Sequence, residues 1–378
     1  MKEVMSFKTQ NEILNLFKTK RTQYVAGLFS DLDCDNKKDF KSYKMPQPQY
    51  LGSKYKLLHW ITSFIPSDVK SVLDGFGGSQ SVAFEFKKMG FEVITNDFLN
   101  FCHQTGLALI ENQNVILDDS DIKTLFSENS NRKNIMLNFK DVFFEENECI
   151  LLDNIRANID LFECKYKKAI AFAVMNRSLT RKTIMGHFAH TKAIEYAKSP
   201  HRTKRNPSIA KDIRELFLSL IDDYNSAIFD NSNCNKSYNK NILELLPTLN
   251  NIDLVYYDPP YCNSHSDYQS FYHLLETFVE NWNDKEFING TKRYFPARYS
   301  GFDKVKDIKE SFYQLFELSK NIPYWLISYN DRSIPTIEEL VKMVSNYRKV
   351  EVQEKVYNTS RGGKGSVSGS KEYLLVCI

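Results

Sequence analysis

Residues 69–97 read VKSVLDGFGGSQSVAFEFKKMGFEVITND, and no other stretch narrows the possible folds as far. A short apolar run from Val69 to Leu73 enters a glycine-rich turn. An amphipathic helical pattern follows and ends near Gly90. A second apolar run, Phe91 to Asp97, closes on an acid. Strand, glycine turn, helix, strand and acid make the opening unit of a doubly wound nucleotide-binding sheet, whose strands run parallel.

The rest of the chain extends that sheet. The spacing predicts strands at Ile252–Tyr257 and at 322–330, then two closing strands in VEVQEKVY and EYLLVCI. Helical periods appear at 50–65, around 270–279, at 302–318 and in IEELVKMVSN. From about Phe98 to Asn250 the pattern is helical and polar with few strand candidates, too long for one crossover, so an inserted helical region is expected. The first 45 residues read as a short amphipathic helix and a polar linker, and NTSRGGKGSVSGSK as a flexible basic hairpin loop.

Composition removes several classes. Hydrophobic residues at 42% and charged residues at 26% suit a soluble globular protein, and no run is long and apolar enough to span a membrane. The N-terminus lacks the apolar core of a secretory signal. Seven cysteines, at 34, 102, 149, 164, 234, 262 and 377, show no paired spacing, which argues against a zinc site or disulfide scaffold and for a reducing cytoplasm. The net charge of +3 decides little, but residues 165–205 concentrate Lys and Arg. That zone suits a polyanionic partner, or is simply a solvated helix face.

Three local patterns carry candidate chemistry. The turn DGFGGSQSVAF, Asp74 to Phe84, brings backbone amides near a ligand, but it is no GxGxxG match, which disfavours a dehydrogenase. Asp97 could accept from ribose hydroxyls or cap a helix. The third, Asp258-Pro259-Pro260-Tyr261, ends an apolar strand. Two prolines stop a strand, and that suffices as a structural reason. The same corner also presents a carboxylate, an outward carbonyl and an aromatic ring. A carboxylate and a carbonyl can both accept from the amino group of adenine, whose lone pair is otherwise delocalised into the ring. Attack on a methyl sulfonium would then be in-line displacement governed by positioning, with Tyr261 stacking on an extruded base. His265 and His273, close by, are expected to pack or bond locally.

These residues resemble the D12-class N6-adenine DNA methyltransferases, the Dam-like alpha group found in many restriction-modification systems. YLGSK (50–54) is similar to the family's N-terminal cofactor motif, DGFGGSQ to its F-x-G-x-G loop, Asn96-Asp97 to its second-strand acid, and DPPY to its catalytic motif. The HSDYQSFYHLLET segment that follows is similar to a subset of these methylases. The likeness covers residues 46–378, with one departure: Gln80 stands where the loop usually has its second glycine. Either that position needs no left-handed backbone, or the loop runs differently.

The resemblance implies an α/β fold, a Rossmann-like seven-stranded mixed sheet of class I S-adenosylmethionine-dependent methyltransferases, with a mainly helical target-recognition insert. It places the catalytic domain at 46–130 and 236–378, and the insert at 131–235. It implies cofactor contacts from Tyr50, Lys54, Asp74, Phe76, Gly78, Ser79, Asp97 and Asp258, and catalysis by Asp258, Pro259, Pro260 and Tyr261. Tyr50 would pack beside the methionine part, Lys54 would reach its carboxylate, and Asp97 would bind the ribose. DNA contacts are expected from Arg177, Arg181, Lys182, His187, Lys192, Arg202, Lys204, Arg205, Arg361 and Lys364. The expected partners are double-stranded DNA and a cognate restriction endonuclease, with S-adenosyl-L-methionine as cofactor and no metal, in a bacterial or phage cytoplasm at the nucleoid. Two other readings stay open: an RNA adenine-N6 methyltransferase, and a catalytically silent DNA-binding protein on the same scaffold.

Overall fold

Adjacent residues along the central strands belong to two different apolar clusters, because side chains in a strand alternate between faces. The computed structural model describes residues 40, 42–184, 186–260, 268–281, 286–287, 298–357 and 370–378. Among them seven strands form one sheet: β1 (Ser71–Asp74), β2 (Glu92–Asn96), β3 (Lys236–Tyr238), β4 (Leu254–Tyr257), β5 (Tyr324–Asn330), β6 (Val350–Tyr357) and β7 (Ser370–Cys377). The order is β3-β2-β1-β4-β5-β7-β6. The first five are parallel, and β7 runs antiparallel to both β5 and β6. Expected and observed fold class agree.

Six strands lie within a few residues of their expected places. β3 is the one that periodicity misses, since three residues, Lys-Ser-Tyr, at a sheet edge carry no repeat to detect. The 50–65 segment also differs. Only α1 (Leu58–Thr62) is helical, and the residues before it form turns around Gly52 at φ +80°.

On one face Val72, Val93, Leu254, Tyr256, Leu326 and Leu374 join a large cluster with α2 (Ser81–Lys88), α3 (Asn100–Gly106), α4 (Glu146–Leu161) and α5 (Lys165–Arg181). On the other, Leu73, Val255, Tyr257, Trp325, Ile327 and Leu375 pack under α8 (Ile308–Ser319) and α9 (Ile337–Val344). The long segment between β2 and β3 therefore roofs one face of the sheet and shares its core. Between these come α6 (Pro200–Arg205) in that segment and α7 (His273–Glu280) after β4. α9 starts on a reciprocal Thr336/Glu339 capping box. No helix among the described residues is long and apolar enough to cross a membrane.

Strand order reverses between β1 and β4, which leaves a crevice at their carboxyl ends, the usual ligand site of such sheets. Register fixes what surrounds it. Asp74 lies level with Thr95 and Tyr256, so the acids that end β1, β2 and β4 converge on one rim.

Candidate active site

The crevice spans about 1010 Å³ of space, its open mouth included. It brings together Tyr50, Lys54, Asp74, Phe76, Gly78, Ser79, Asp97, Asp258, Pro259 and Pro260, ten of the eleven catalytic and cofactor positions singled out from sequence. The eleventh, Tyr261, lies outside the described residues, as do His265, Arg361 and Lys364.

The glycine loop is tied down at each step. Gly77 N donates to Asn96 O at 2.8 Å. Gly78 N donates to Asp97 Oδ2 at 2.7 Å, while Leu99 N donates to the other oxygen at 2.8 Å. The second-strand acid thus pins the loop and caps the approach to α3 with one carboxylate. Burial raises its pKa to about 6. Gly78 sits at φ +48°, and a Cβ there would stand 3.0 Å from the Tyr50 ring, so the close approach of the YLGSK turn requires glycine. Ser79 Oγ bonds Ser53 Oγ at 3.0 Å and Ser81 Oγ at 2.8 Å, and Ser53 belongs to that same turn.

Gln80 settles the question its sequence position raised. It adopts φ 64°, ψ 14°, the left-handed conformation for which glycine would be chosen. Its side chain is wholly buried, its Oε1 accepts from Thr95 Oγ1 at 2.7 Å, and its Nε2 donates to Cys102 O at 3.4 Å. A Cβ on Gly77 would meet that Nε2 at 2.4 Å. The amide folds back into the space that Gly77 leaves open.

At the β4 corner, Lys54 Nζ donates to both oxygens of Asp258, at 2.9 and 2.7 Å, and to Gly52 O at 3.0 Å. Glu372 of β7 lies 3.4 Å from the same nitrogen. The Lys54 and Glu372 side chains are each 2% exposed and that of Asp258 17%, so Asp258 is the most exposed member of this charge chain, while Lys54 also lines the crevice. Asp74 stands below it, almost fully buried, and its Oδ1 has no hydrogen-bond partner among the described residues. Burial, then the negative charge of Asp258, pushes its pKa to about 8. An unpartnered acceptor on a cleft floor calls for a donor from a ligand, and the ammonium of an amino-acid moiety supplies one. The residues present therefore fit S-adenosylmethionine.

Periodicity did not reveal several residues that line or back the site. Tyr272 stacks on Tyr50 at 5.1 Å with rings 5° apart, Tyr268 stacks at 5.8 Å, and Leu51 N donates to Tyr272 Oη at 2.8 Å. The four-residue spacing of these tyrosines was the available signal. Glu372 offered none, since a buried acid on a late strand looks like any strand residue. His273 bonds Phe188 O at 3.1 Å and packs against Phe139 and Phe143.

The basic zone divides by what its cations already hold. Arg177 donates to Gln47 O and Gln49 Oε1, just ahead of Tyr50. Lys182 Nζ holds Glu148 and Lys211 O, each at 2.7 Å. His187 is buried and stacked on Phe271. Arg202 lies 3.9 Å over the Tyr196 ring, Arg181 is half-buried, and Lys192 is exposed 3.7 Å from Glu195. Lys204 and Arg205 are exposed on α6.

Sheet order, pinned glycine loop, strand-end acids and Asp-Pro-Pro corner around one crevice define a Rossmann-like methyltransferase of class I. A family model of the D12 class N6 adenine-specific DNA methyltransferases matches residues 50–343, and the chain belongs to that family. It is 37% identical over 344 residues to the Type II methyltransferase M2.HphI of Haemophilus parahaemolyticus, a match covering 88% of this chain and 98% of that protein. It is 25% identical to the modification methylase StsI of Streptococcus sanguinis and 24% identical to the Type II methyltransferase M.FokI of Planomicrobium okeanokoites. Those two matches span only 46% and 47% of the relatives' own lengths.

Proposed function

We propose that the crevice takes S-adenosylmethionine and a flipped-out adenine side by side, and that the chain methylates adenine N6 at a fixed site in duplex DNA as the modification enzyme of a restriction-modification system. The observation that carries this reading is the Asp258 carboxylate, clamped by Lys54 at 2.7 Å and standing at the mouth of the cleft floored by Asp74. Asp258 and the Pro259 carbonyl accept the two amino hydrogens of the base and so localise the nitrogen lone pair toward the cleft. Tyr261 stacks on the extruded ring. The bound cofactor supplies an electrophilic methyl group on sulfonium sulfur. Asp74 receives its ammonium, Lys54 its carboxylate, and Asp97 the ribose hydroxyls, while Tyr50, Phe76, Gly78 and Ser79 line its path.

Residues 131–235 form the recognition insert on a catalytic domain of 46–130 and 236–378. Arg181, Lys192, Arg202, Lys204 and Arg205 are the cations best placed to meet DNA phosphates. A cognate endonuclease cutting the same site, in a bacterial or phage-infected cytoplasm, completes the setting. Single-molecule sequencing of DNA from a methylation-deficient host expressing the chain tests the proposal. N6-methyladenine in one sequence context is expected. Unmodified DNA together with methylated adenine in RNA overturns it.

A further inference from the structure

The cofactor motifs leave one end of the crevice unaccounted for. Beyond Asp97, the chain continues into Phe98 and Leu99, and Phe98 borders both the main crevice and a second, more polar cavity. Arg298 borders the same two spaces. It belongs to none of the sequence motifs and comes more than thirty residues after the DPPY corner. Arg298 Nη2 donates to Phe98 O at 3.0 Å, and its guanidinium carbon stands 4.7 Å from the centre of the Phe98 ring. One side chain therefore grips both the backbone and the ring of Phe98.

Arg298 is itself held. Its Nη2 lies 3.6 Å from Glu280 Oε1 and 3.8 Å from Glu276 Oε2, both on α7. Glu276 is fully buried, and its Oε1 accepts from Phe101 N at 2.8 Å at the start of α3, whose Leu99 cap contributes no side-chain bond. Ser300 Oγ donates to Asp303 Oδ2 at 2.7 Å and Asn241 Nδ2 to Ser300 O at 3.3 Å, which fixes the chain just after Arg298. Residues 98–101 are thus clamped from two directions by α7 and the Arg298 segment.

We infer that Arg298 is a positioning residue that holds Phe98 as the wall against which the adenine ring of S-adenosylmethionine lies. The inference rests on the proposed binding of that cofactor in the crevice. The adenine of a nucleoside hangs from the ribose carbon next to the hydroxyls, so a ribose at Asp97 sets its base among the neighbouring apolar groups, Phe98, Leu99 and Ile242. An aromatic wall serves a flat ring only when its own plane is fixed, and Arg298 fixes it by a carbonyl bond and a cation–π contact.

Calorimetric titration of the full chain with S-adenosylmethionine and with 5′-methylthioadenosine, which lacks the amino-acid end, tests this. Arg298→Ala weakens both ligands by the same factor, about tenfold, and raises the cofactor KM equally while kcat at saturating cofactor is kept. Arg298→Lys restores the charge beside Glu276 and Glu280 without the planar face, and recovers only part of the affinity. Unchanged 5′-methylthioadenosine binding in the alanine variant, or a lost kcat at saturating cofactor, overturns the inference. Failure of the wild-type chain to bind S-adenosylmethionine removes the cofactor reading and this inference together. Undiminished cofactor binding by Arg298→Ala removes the inference alone.

Discussion

The acids of the crevice rim were legible in the sequence as motif positions and residues 165–205 as a run of charge, and the fold treats the two in opposite ways. The rim acids, Asp74, Asp97 and Asp258, end three neighbouring strands, so sheet register alone brings them together. The basic residues sit on helices and turns with no common register. Lys182 is spent on Glu148, Arg177 on the segment before Tyr50, and Lys204 and Arg205 are left to solvent. A motif at a strand end predicts position, whereas a run of cations predicts only composition.

Among the rim acids Asp258 carries the largest expected effect. Asp258→Asn keeps an acceptor for Lys54 but loses the carboxylate, and methyl transfer is expected to fall at least ~100-fold because base placement fails. Thermal unfolding should change little, since the side chain faces the cleft and Glu372 still neighbours Lys54. A folded variant with near-native turnover in a radiolabelled methyl-transfer assay would show that the corner is only a strand stop.

The basic zone separates under paired charge reversals. Lys204→Glu with Arg205→Glu is expected to leave stability intact and to lower the slope of log affinity against log salt by about 2, if both touch phosphates. Lys182→Glu should act on the fold instead, costing about 3 kcal/mol by setting a second carboxylate against Glu148. DNA binding titrated across salt, with urea unfolding of the same proteins, reads both. Loss of DNA binding by Lys182→Glu at unchanged stability would mean that Lys182 meets DNA and is not needed to hold Glu148.

Asp74 offers a subtler test of the rim. Its folded pKa of about 8 lies above that of an unfolded aspartate, so between the two the folded chain holds the extra proton. Stability of the ligand-free chain therefore falls as pH rises through that window, with Asp97 and Glu276 adding to the same trend. Asp74→Asn removes one titrating group and should flatten the slope by up to about 1.4 kcal/mol per pH unit. Urea denaturation at several pH values measures it, and an unchanged slope would mean that Asp74 is not the desolvated acid described.

Much of this was written in the chain. Four ordered motifs located the crevice, and apolar runs located β1, β2, β4 and β5, because a buried parallel strand is a continuous apolar word, while the antiparallel β6 and β7 showed as two short runs flanking a glycine-rich loop. What was not legible depended on distance in sequence. Glu372 lies more than one hundred residues after Asp258, Arg298 two hundred after Phe98, and β3 is too short to carry a period. Lys54 was read as a cofactor ligand, and the structure adds that it grips Asp258, a contact no local pattern encodes.

Gln80 tests that limit most finely, because there the sequence departs from the motif while the backbone takes the left-handed conformation that glycine favours. The left-handed conformation costs a non-glycine residue about 1–2 kcal/mol. Burying the amide against Thr95 and Cys102 offsets that cost. Gln80→Ala keeps the strain, loses both bonds and leaves Thr95 Oγ1 without its acceptor. Gln80→Gly loses the same bonds but relieves the strain. Both variants should be destabilised, with glycine the milder by about 1 kcal/mol. Equal destabilisation in urea would mean that the backbone cost is small and that the side-chain bonds alone hold the loop. A glycine variant more stable than the native chain would mean that the motif's usual residue is also the better one here, and that Gln80 is retained for its contact with α3 beneath the cofactor loop.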